Sequence, residues 1–479
     1  MSDPKYLAKG TKIIATIGPA SNSYEQIEDL IHEGVDVFRL NFSHGSHEDH
    51  LKVIEHINKL NETHKFTVGI LADLQGPKIR VSKIENDQLK LEEGQKIYLF
   101  GGTEISNNNK LYIGYEFLTK DIKEKDRIMI DDGKIILQAV KKCEDGNCVE
   151  AVVKFGGMLK PFKGVNFPDT QLSLPSLTEK DLKDLDFILK QKVNWIALSF
   201  VRNEKNIKEL RRLIKAKRHS ARIIAKIEKP EAIENIKAII KVADGIMIAR
   251  GDLGVEIAME KLPVLQKSII NRCIKMSKVV IVATQMMESM ITNANPSRAE
   301  VTDVANAVIE GTDAVMLSGE TAMGKHPRLV VEKMRKIILS VERSNVLNLN
   351  RPKPEAKSTS FLNDLVCFNA AKLADDLNAK AIIGVTVSGY TAFKTSSFRP
   401  KTKMYVFSNL KEVLSTLNLV RGVKGFYFEE NKSIEETHEL LVDFLLEKSL
   451  IKKGDLVVHT GTMPLKAKGR TNMIKVGKA

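Results

Sequence analysis

Short runs of apolar, often β-branched residues recur along the chain, and most are separated by segments with helical periodicity. Each run is apolar for most of its length, which is typical of strands buried on both faces of a parallel sheet. The alternation of strands with helices therefore predicts repeated β/α units. The eight runs cover residues 12–18, 35–42, 67–74, 194–200, 222–228, 245–250, 279–284 and 314–320. Eight such units predict an α/β fold built on a closed (β/α)8 TIM barrel.

Polar side chains end nearly every one of these runs. Enzymes with this barrel carry their chemistry at the carboxyl ends of the strands, so we expect these side chains to face one active site. They are Thr16, Arg39 with Asn41 and Ser43, Asp73, Ser199, Lys226 with Glu228, Arg250 with Asp252, Thr284 with Gln285, and Ser318 with Glu320.

The alternation stops in two places, and both predict further domains. Residues 76–164 give short alternating stretches where a helix should follow the third run, which indicates an inserted small β-barrel domain, here called the lid. Its flanks carry Gly and Pro that can absorb backbone rotation, so we expect it to close over the barrel mouth. A polar, Pro-containing segment then precedes renewed α/β patterning. The expected domains are a catalytic barrel at 1–75 and 165–345, the lid, and a C-terminal α/β domain at 346–479.

Composition narrows the class of protein. With 43% hydrophobic and 28% charged residues and no apolar run near 18 residues, the chain is typical of a soluble globular protein without membrane partners. The first ten residues lack an apolar core and a cleavage site, so a cytoplasmic location is expected. The formal charge of +14 raises nucleic acid as a partner. Because Lys and Arg are spread along the chain among acids, we expect small polyanionic substrates instead.

Four cysteines are too widely spread to predict a disulfide framework, and reduced thiols are expected. They are Cys143, Cys148, Cys273 and Cys367. The segment CEDGNC at 143–148 could be half of a zinc site, but a second pair is missing and its Asp-Gly step predicts a hairpin turn.

One lysine and two acids follow two neighbouring strands. Lys226 and Glu228 are two residues apart, so on a strand their side chains point to the same face, and Asp252 follows the next apolar run. Two carboxylates suit Mg²⁺ or Mn²⁺. The ammonium can neutralise a phosphoryl group during its transfer. Salt-bridged acids at the barrel rim are the simpler alternative, but the lysine between them favours a magnesium-dependent phosphoryl-transfer site.

Longer motifs resemble one known family over the whole chain. They are FRLNFSHG, ADLQGPKIR, KGVNFP, AKIEKPEA, ARGDLGVE, VATQMMESM, PSRAEVTDVANAV and MLSGETAMG. These segments resemble the signatures of pyruvate kinase, more loosely in the C-terminal domain. The resemblance implies transfer of a phosphoryl group from phosphoenolpyruvate to ADP, giving pyruvate and ATP in the last step of glycolysis.

The resemblance also implies roles for single residues. Lys226 would stabilise the transition state, and Thr284 would help to protonate the enolate through water, since a threonine hydroxyl is too weak an acid to act alone. Ser318 and Glu320 would either join that relay or cap a helix. The implied divalent-ion ligands are Glu228 and Asp252; the substrate contacts are Arg39, Lys226, Gly251, Asp252 and Thr284; the nucleotide contacts are Asn41, His44, Arg80 and Lys163. The histidine could instead simply pack within its loop.

One departure from the family pattern changes an expectation. Many members hold a potassium ion at the positions of Asn41, Ser43, Asp73 and the Leu74 carbonyl, and carry a glutamate five residues past the aspartate. This chain has Lys78 there. Because its ammonium supplies a permanent positive charge, we expect activity without potassium.

The C-terminal domain contains a Ser-Gly-rich turn followed by basic residues, at 386–400, which can form a phosphate nest. It resembles the effector site of the family, and a sugar-phosphate activator is expected there, with an unregulated pocket as the alternative. The implied contacts are Ser388, Gly389, Tyr390 and Thr391, beside a loop that carries Lys466, Lys468 and Arg470. Regulation of this kind accompanies a homotetramer in the family.

Two other classes of function compete with this interpretation. Another barrel enzyme could use the same magnesium-held enolate for carbon–carbon cleavage, but the lid and the C-terminal domain argue against it. A nucleic-acid-binding protein would bind in a strongly salt-dependent way without needing a metal.

Overall fold

The computed structural model describes residues 9–64, 66–344, 346–347, 351–429, 434–462 and 471–479. The strands, numbered in chain order, are β1 (Lys12–Thr16), β2 (Val37–Asn41), β3 (Gly69–Asp73), β4 (Leu89–Leu91), β5 (Lys96–Gly101), β6 (Lys110–Ile113), β7 (Arg127–Ile130), β8 (Ile135–Lys142), β9 (Cys148–Phe155), β10 (Gly157–Leu159), β11 (Val165–Asn166), β12 (Trp195–Leu198), β13 (Arg222–Ile227), β14 (Gly245–Ala249), β15 (Val279–Ala283), β16 (Ala314–Leu317), β17 (Ala381–Val385), β18 (Met404–Ser408), β19 (Val423–Tyr427), β20 (Leu456–Gly461) and β21 (Met473–Lys478).

Helices of the barrel and the C-terminal domain alternate with these strands, and one short helix lies in the lid. They are α1 (Tyr24–Glu33), α2 (His47–Thr63), α3 (Leu118–Asp121), α4 (Glu179–Ile188), α5 (Glu204–Ala216), α6 (Pro230–Glu234), α7 (Ile236–Val242), α8 (Arg250–Glu256), α9 (Leu262–Lys275), α10 (Arg298–Ile309), α11 (Gly319–Ala322), α12 (Pro327–Arg343), α13 (Phe361–Asp376), α14 (Tyr390–Ser397), α15 (Lys411–Leu417) and α16 (Ile434–Glu447). Several begin at a reciprocal capping box, which satisfies N–H groups of the first turn. The capping residues are Ser23, Ser46, Thr178, Asn203 and Ser297.

The barrel is a closed parallel sheet in the order β1-β16-β15-β14-β13-β12-β3-β2. The predicted (β/α)8 barrel is therefore confirmed, and each observed strand lies inside one of the eight predicted runs. The strands end one to three residues before the runs do, because the last residues of each run already turn into the loops at the barrel mouth. These loops and the helices that begin there carry most of the polar residues predicted to form the site, and the others lie in the strands.

The lid is an all-β unit that branches off after β3. Its main sheet has the order β11-β7-β8-β9-β5-β6, and β4 pairs with β10. Residues 79–82 join the two edges of the main sheet, since Val165 N–H donates to the Ile79 carbonyl at 3.0 Å and Ser82 N–H donates to the Tyr112 carbonyl at 2.9 Å. These bonds close the sheet on itself around a separate apolar core. The pairing of β11 with β7 keeps Val165 and Asn166 in the lid sheet.

A disulfide joins Cys143 and Cys148 across the hairpin between β8 and β9, with the two Cα atoms 5.2 Å apart. The expectation of reduced thiols is wrong for this pair. The Asp-Gly turn predicted from the sequence brings the two residues opposite each other, where Cys143 N–H donates to the Cys148 carbonyl at 2.9 Å. With their sulfurs bonded to each other, they are not thiolate ligands for zinc. Cys273 and Cys367 are free and buried.

The C-terminal domain is a five-stranded sheet in the order β19-β18-β17-β20-β21, parallel except for β21. It packs against the amino end of the barrel, where the inner barrel residues and the domain's own residues share one apolar cluster. Trp195 at the start of β12 is fully buried there and donates its indole N–H to the Thr416 carbonyl at 3.3 Å. Among the described residues, no helix combines the length and apolarity that crossing a membrane requires.

Candidate active site

Lys226 lies at the carboxyl end of β13 with its side chain only 12% exposed. Its Nζ is 3.0 Å from Glu228 Oε1 and 3.3 Å from Asp73 Oδ1, and it donates to Ser199 Oγ at 2.7 Å. The same-face prediction for Lys226 and Glu228 matches this contact. The strand thus holds one cation between two buried carboxylates.

The electrostatics of this cluster follow from burial and from neighbouring charges. Burial alone would lower the pKa of Lys226, but Asp73 and Glu228 raise it above its ordinary value, so the side chain stays an ammonium. Burial raises the pKa of Glu228, and the negative charge of Asp252 adds to that effect although Lys226 opposes it. The Glu228 carboxylate also accepts the Phe200 N–H at 2.6 Å.

Arg39 extends the cluster from β2. Its Nε donates to Asp73 Oδ2 at 2.6 Å and its Nη1 donates to Thr16 Oγ1 at 3.0 Å. Burial alone would raise the pKa of Asp73, but Lys226 and Arg39 together lower it below its ordinary value. An arginine and a lysine are therefore held side by side by one ionised carboxylate, which is a suitable arrangement for binding a phosphate.

Asp252 lies in the first turn of α8, directly after β14. Its side chain is about a third exposed, and Lys78 Nζ from the lid hinge lies 4.0 Å from Oδ1. The repulsion between this carboxylate and buried Glu228 would be relieved by a divalent cation between them. The donor set of two carboxylates therefore fits Mg²⁺ or Mn²⁺. Asp252 lines an open cleft between the lid and the barrel, together with Lys78 and Asn166.

Thr284 follows β15 with a backbone φ of 68°, which is uncommon for a β-branched residue. Its hydroxyl donates to the Ala283 carbonyl at 2.6 Å and accepts the Gly251 N–H at 2.7 Å. Arg250 holds the segment from α8, since Nη2 donates to the Thr284 carbonyl at 2.8 Å while Nη1 bonds Asp303 at 2.6 Å. The hydroxyl is therefore fixed in place. The Gly251 N–H, expected to hold a substrate carboxylate, donates to Thr284 instead.

Glu320 lies close to the last barrel strand but is bonded to the backbone. Its carboxylate accepts the Ser318 N–H at 2.7 Å and the Met287 N–H at 3.1 Å. Burial raises its pKa above the ordinary value. This geometry matches the capping alternative for Glu320 and leaves its place in a proton relay a prediction.

Two of the predicted nucleotide contacts, Arg80 and Lys163, are bonded to other residues of the lid. Arg80 Nη1 donates to the Phe162 carbonyl at 3.1 Å, and Lys163 Nζ lies 2.8 Å from Asp131 Oδ1. Both cations flank the segments through which the lid leaves and rejoins the barrel. They would move with the lid if it rotates about those segments.

The exposed His44 faces a concentration of positive charge. Partial desolvation lowers its pKa, and the charges of four cations add to that effect. These cations are Arg80, Lys78, Arg39 and Lys180. A neutral imidazole among so many cations is consistent with a region that attracts polyphosphate.

The expected monovalent-ion positions are largely engaged within the protein. Asn41 Oδ1 accepts the Ser43 N–H at 3.2 Å, and the Leu74 carbonyl accepts the Ser199 hydroxyl at 2.7 Å. The aspartate of the set is paired with cations as described above. The Lys78 ammonium lies on the side of the acids that suit a divalent ion.

Two predicted effector contacts already have partners in the C-terminal domain. The Tyr390 hydroxyl donates to Asp364 Oδ1 at 2.6 Å, and the Thr391 and Thr471 hydroxyls lie 2.5 Å apart in a buried position. A phosphate would have to use the backbone of this turn, or displace these bonds.

The rest of the effector turn contacts the barrel. Ser388 is exposed, and its carbonyl accepts a bond from Arg222 Nη2 at 3.3 Å, while the Arg222 guanidinium lies 4.3 Å from the centre of the Phe393 ring. Arg222 is the first residue of β13, the strand that carries Lys226. The basic residues expected beside the turn lie outside the described residues; they are Lys466, Lys468 and Arg470.

Sequence reasoning missed how several charges pair around the site. Lys229 Nζ lies 2.5 Å from Glu256 Oε1, and Asn166 from the lid donates to the same oxygen at 2.7 Å. The Arg250–Asp303 pair is separated by 53 residues. Of these residues, only Arg250 was predicted as a site residue, from its position at a strand end. Contacts between distant segments leave no local sequence pattern from which the pairs could be predicted.

Comparisons with known proteins agree with this geometry. The family model for the pyruvate kinase barrel domain matches residues 8–331, and the model for the pyruvate kinase alpha/beta domain matches residues 364–477. The chain belongs to the pyruvate kinase family. The family predicted from the motifs is therefore confirmed, and the protein is an enzyme of the phosphotransferase class.

Relatives of the pyruvate kinase family match over nearly the whole chain. Pyruvate kinase 2 of Synechocystis is 42% identical over 472 residues, which span 98% of this chain and 79% of the relative. The pyruvate kinase of Geobacillus stearothermophilus is 41% identical over 478 residues, or 98% of this chain and 80% of the relative. The crystal structure of a pyruvate kinase from Cryptosporidium parvum is 34% identical, with a TM-score of 0.91 over 99% of this chain and 97% of that chain.

Proposed function

We propose that this enzyme transfers a phosphoryl group from phosphoenolpyruvate to ADP and releases pyruvate and ATP. The observation that supports this most directly is the Lys226 ammonium between Glu228 and Asp73, where Asp73 also binds Arg39. Asp252 lines the cleft between the lid and the barrel. Pyruvate kinases generally use a divalent metal, and the two acids fit Mg²⁺ or Mn²⁺.

In the proposed reaction an oxygen of the ADP β-phosphate attacks the phosphorus of phosphoenolpyruvate, and the bond from phosphorus to the enol oxygen breaks. The bond electrons stay on the enolate, which takes one proton at carbon to become pyruvate. The ammonium of Lys226 offsets charge on the moving phosphoryl group and on the enolate oxygen. Arg39 binds phosphate oxygens. Glu228 and Asp252 would hold the divalent ion, which would supply further charge neutralisation to these oxygens.

Proton delivery is assigned to the Thr284 side of the site. The Thr284 hydroxyl is held by its bonds to Ala283 and Gly251, so it can orient one water molecule beside the enolate carbon. Ser318 and Glu320 would extend this relay. Gly251 and Asp252 are assigned to the carboxylate end of the substrate, which requires the Gly251 N–H to exchange its present acceptor for the substrate.

ADP is assigned to the side of the cleft that carries Asn41, His44, Arg80 and Lys163. The charge that lowers the pKa of His44 supports this assignment, since it marks a surface that attracts phosphates. Lid closure would bring Arg80 and Lys163 onto the nucleotide and exclude water. The boundaries given above for barrel, lid and C-terminal domain belong to this proposal, except that Val165 and Asn166 are assigned to the lid because β11 pairs with β7.

We also propose that the reaction needs no potassium, because Lys78 supplies a fixed positive charge beside the site. Two of the oxygens that would coordinate a monovalent ion, Asn41 Oδ1 and the Leu74 carbonyl, already accept hydrogen bonds within the protein, which supports this assignment. Substituting Lys78→Glu should create a requirement for potassium.

We further propose that a sugar phosphate activates the enzyme at residues 388–391. The enzyme would be a homotetramer in the cytoplasm, without nucleic-acid or membrane partners. The link from Ser388 through Arg222 to the start of β13 supports communication between that turn and the barrel.

The deciding experiment measures pyruvate formation from phosphoenolpyruvate and ADP with Mg²⁺, in potassium and in tetramethylammonium buffers. Comparable rates in both are expected. Activity in potassium alone would remove the role of Lys78 but keep the kinase. Phosphoenolpyruvate consumption without ADP would instead favour carbon–carbon cleavage chemistry, and no pyruvate from folded protein under either condition, with or without sugar phosphates, would overturn the proposed function.

A further inference from the structure

The lid contacts the barrel through a buried carboxylate that has no role in the steps above. Glu256 is the last residue of α8, and its side chain is only 1% exposed. Its Oε1 lies 2.5 Å from Lys229 Nζ and accepts a bond from Asn166 Nδ2 at 2.7 Å. Its Oε2 is buried without a hydrogen-bond partner among the described residues. One carboxylate oxygen therefore joins a barrel lysine to a lid asparagine.

Each partner of Glu256 is adjacent to the divalent-ion site or belongs to the lid. Lys229 directly follows Glu228 at the end of β13. Asp252 lies four residues before Glu256 on α8, so the two acids lie on the same side of the helix, one turn apart. Asn166 lies in β11, opposite Met129 of the lid sheet. The contact thus connects both acids of the ion site to the lid.

A second contact shows that the lid packs against α8, and a lid in this position is called seated below. The lid turn between β7 and β8 approaches the helix so closely that a Cβ on Gly133 would lie 3.8 Å from Val255 Cγ1. Val255 directly precedes Glu256. The lid therefore touches α8 both by packing and through the carboxylate.

We propose that Glu256 is a positioning residue that couples the lid to the affinity of the site for its divalent ion. The inference rests on the proposed function only in taking Glu228 and Asp252 as the ion ligands. When the lid is seated, Asn166 and Lys229 together fix the end of α8 against the end of β13, and so set the separation of Asp252 from Glu228. When Asn166 withdraws, the Glu256 carboxylate at the end of α8 keeps only Lys229 as a partner among the described residues.

Coupling of this kind is reciprocal, because the two equilibria share one free energy. If the seated lid favours ion binding, the bound ion must favour the seated lid by the same factor. A residue that only stabilised the fold would alter the melting temperature without linking these two measurements. The affinity for the ion and the effect of the ion on the lid must therefore be measured together.

The experiment cuts the lid side of the contact with Asn166→Ala and uses Asn147→Ala, an exposed asparagine at the lid hairpin tip, as the matched control. Mn²⁺ affinity is measured by calorimetry on the full chain. Hydrogen–deuterium exchange of β7 and β11 is measured with and without Mn²⁺. Asn166→Ala should weaken Mn²⁺ binding about tenfold and remove the protection that Mn²⁺ gives to these strands, with the melting temperature nearly unchanged. Asn147→Ala should behave as the wild type.

Two further variants sharpen the result. Asn166→Gln keeps an amide donor and should recover part of the Mn²⁺ affinity. Lys229→Met combined with Glu256→Gln removes both charges, avoids leaving either one buried alone, and should also lose the Mn²⁺-dependent protection of the lid. Wild-type Mn²⁺ affinity and lid protection in Asn166→Ala would overturn the inference. A wild-type protein that shows the coupling but forms no pyruvate would support the inference and overturn the proposed function alone.

Discussion

The two ends of the barrel both bury charged side chains, but they use them differently. At the amino end, Arg399 of the C-terminal domain forms a two-pronged bond with Asp313, at 3.0 and 2.8 Å, and both side chains are almost completely buried. Lys9 and Lys12 share Asp36 in the same region. The charges of Arg399 and Asp313 neutralise each other within the protein.

At the carboxyl end of the barrel two acids lie near each other. Asp252 remains about a third exposed, and burial and the charge of Asp252 raise the pKa of Glu228. The acids there repel one another, so their most favourable partner is a cation from solution. The comparison teaches that buried charge alone does not identify an active site. The acids of the carboxyl end differ because Asp252 lines an open cleft, where a cation from solution can reach it.

The largest expected effect comes from removing the central cation of the carboxyl end. Lys226→Met should lower kcat by about 10³-fold, because charge on the phosphoryl group and the enolate would go unneutralised. Pyruvate formation and Mn²⁺ binding should be measured together, since ion binding should persist. Lys190→Met, a surface lysine paired with Asp186, is the control and should keep full activity. Transfer at the wild-type rate in Lys226→Met would contradict the assigned role.

At the amino end the corresponding substitution should affect stability instead of activity. Asp313→Ala leaves Arg399 buried without its carboxylate and should destabilise the protein by about 3–5 kcal/mol. Urea unfolding followed by circular dichroism measures this change, while the kcat of folded protein at low temperature should be preserved. Replacing both residues with leucine should recover much of the loss. A fall in kcat as large as that of Lys226→Met would show that the two ends are not distinct.

A buried lysine at the amino end should make the stability of the protein depend on pH. Burial, together with the nearby charge of Lys12, lowers the pKa of Lys424 to about 7. Below pH 7 this lysine is charged in both states and the full cost of burying it remains, whereas between pH 7 and 10.5 only the unfolded chain holds the proton, so stability rises with pH.

Lys424→Met removes this titration. The variant should be more stable than the wild type at pH 6. The difference in their free energies of unfolding should shrink by about 1.4 kcal/mol per pH unit above pH 7. Melting temperatures of both proteins from pH 6 to 9 test this. Parallel curves over the whole range would mean that the lysine keeps an ordinary pKa.

The smallest effect is expected at the exposed part of the same interface. Arg222→Met loses the contact with the Phe393 ring and the bond to the Ser388 carbonyl, which should cost about 1 kcal/mol. Chemical denaturation measures it, with pyruvate formation recorded alongside. A loss of unfolding free energy as large as that of Asp313→Ala would mean that this contact contributes as much as a buried ion pair.

Much of the carboxyl end could be predicted from the sequence because its information is local. Lys226 and Glu228 are two residues apart on one strand, so a period of two places them on the same face. The strand runs were predictable for the same reason, since burial on both faces leaves a continuous apolar stretch. Motifs that resembled the pyruvate kinase family then supplied the roles.

The pairs that the sequence did not predict join distant segments. Arg399 and Asp313 are 86 residues apart, and Lys229 and Glu256 are 27 apart, so no periodicity connects them. The positive φ of Thr284 was also unpredictable, because a β-branched residue normally avoids that region. The disulfide escaped prediction because cysteine counting considered a framework and not a single hairpin.

The short strand β13 has a practical consequence for protein engineering. Arg222 at its first position contacts the C-terminal domain, and Lys226 lies four residues further on, about 13 Å away at the usual strand rise. An extended strand hydrogen-bonded on both sides resists stretching, so its two ends move together. A designer who wishes to link a new binding domain to this protein therefore has an attachment point one strand length from Lys226.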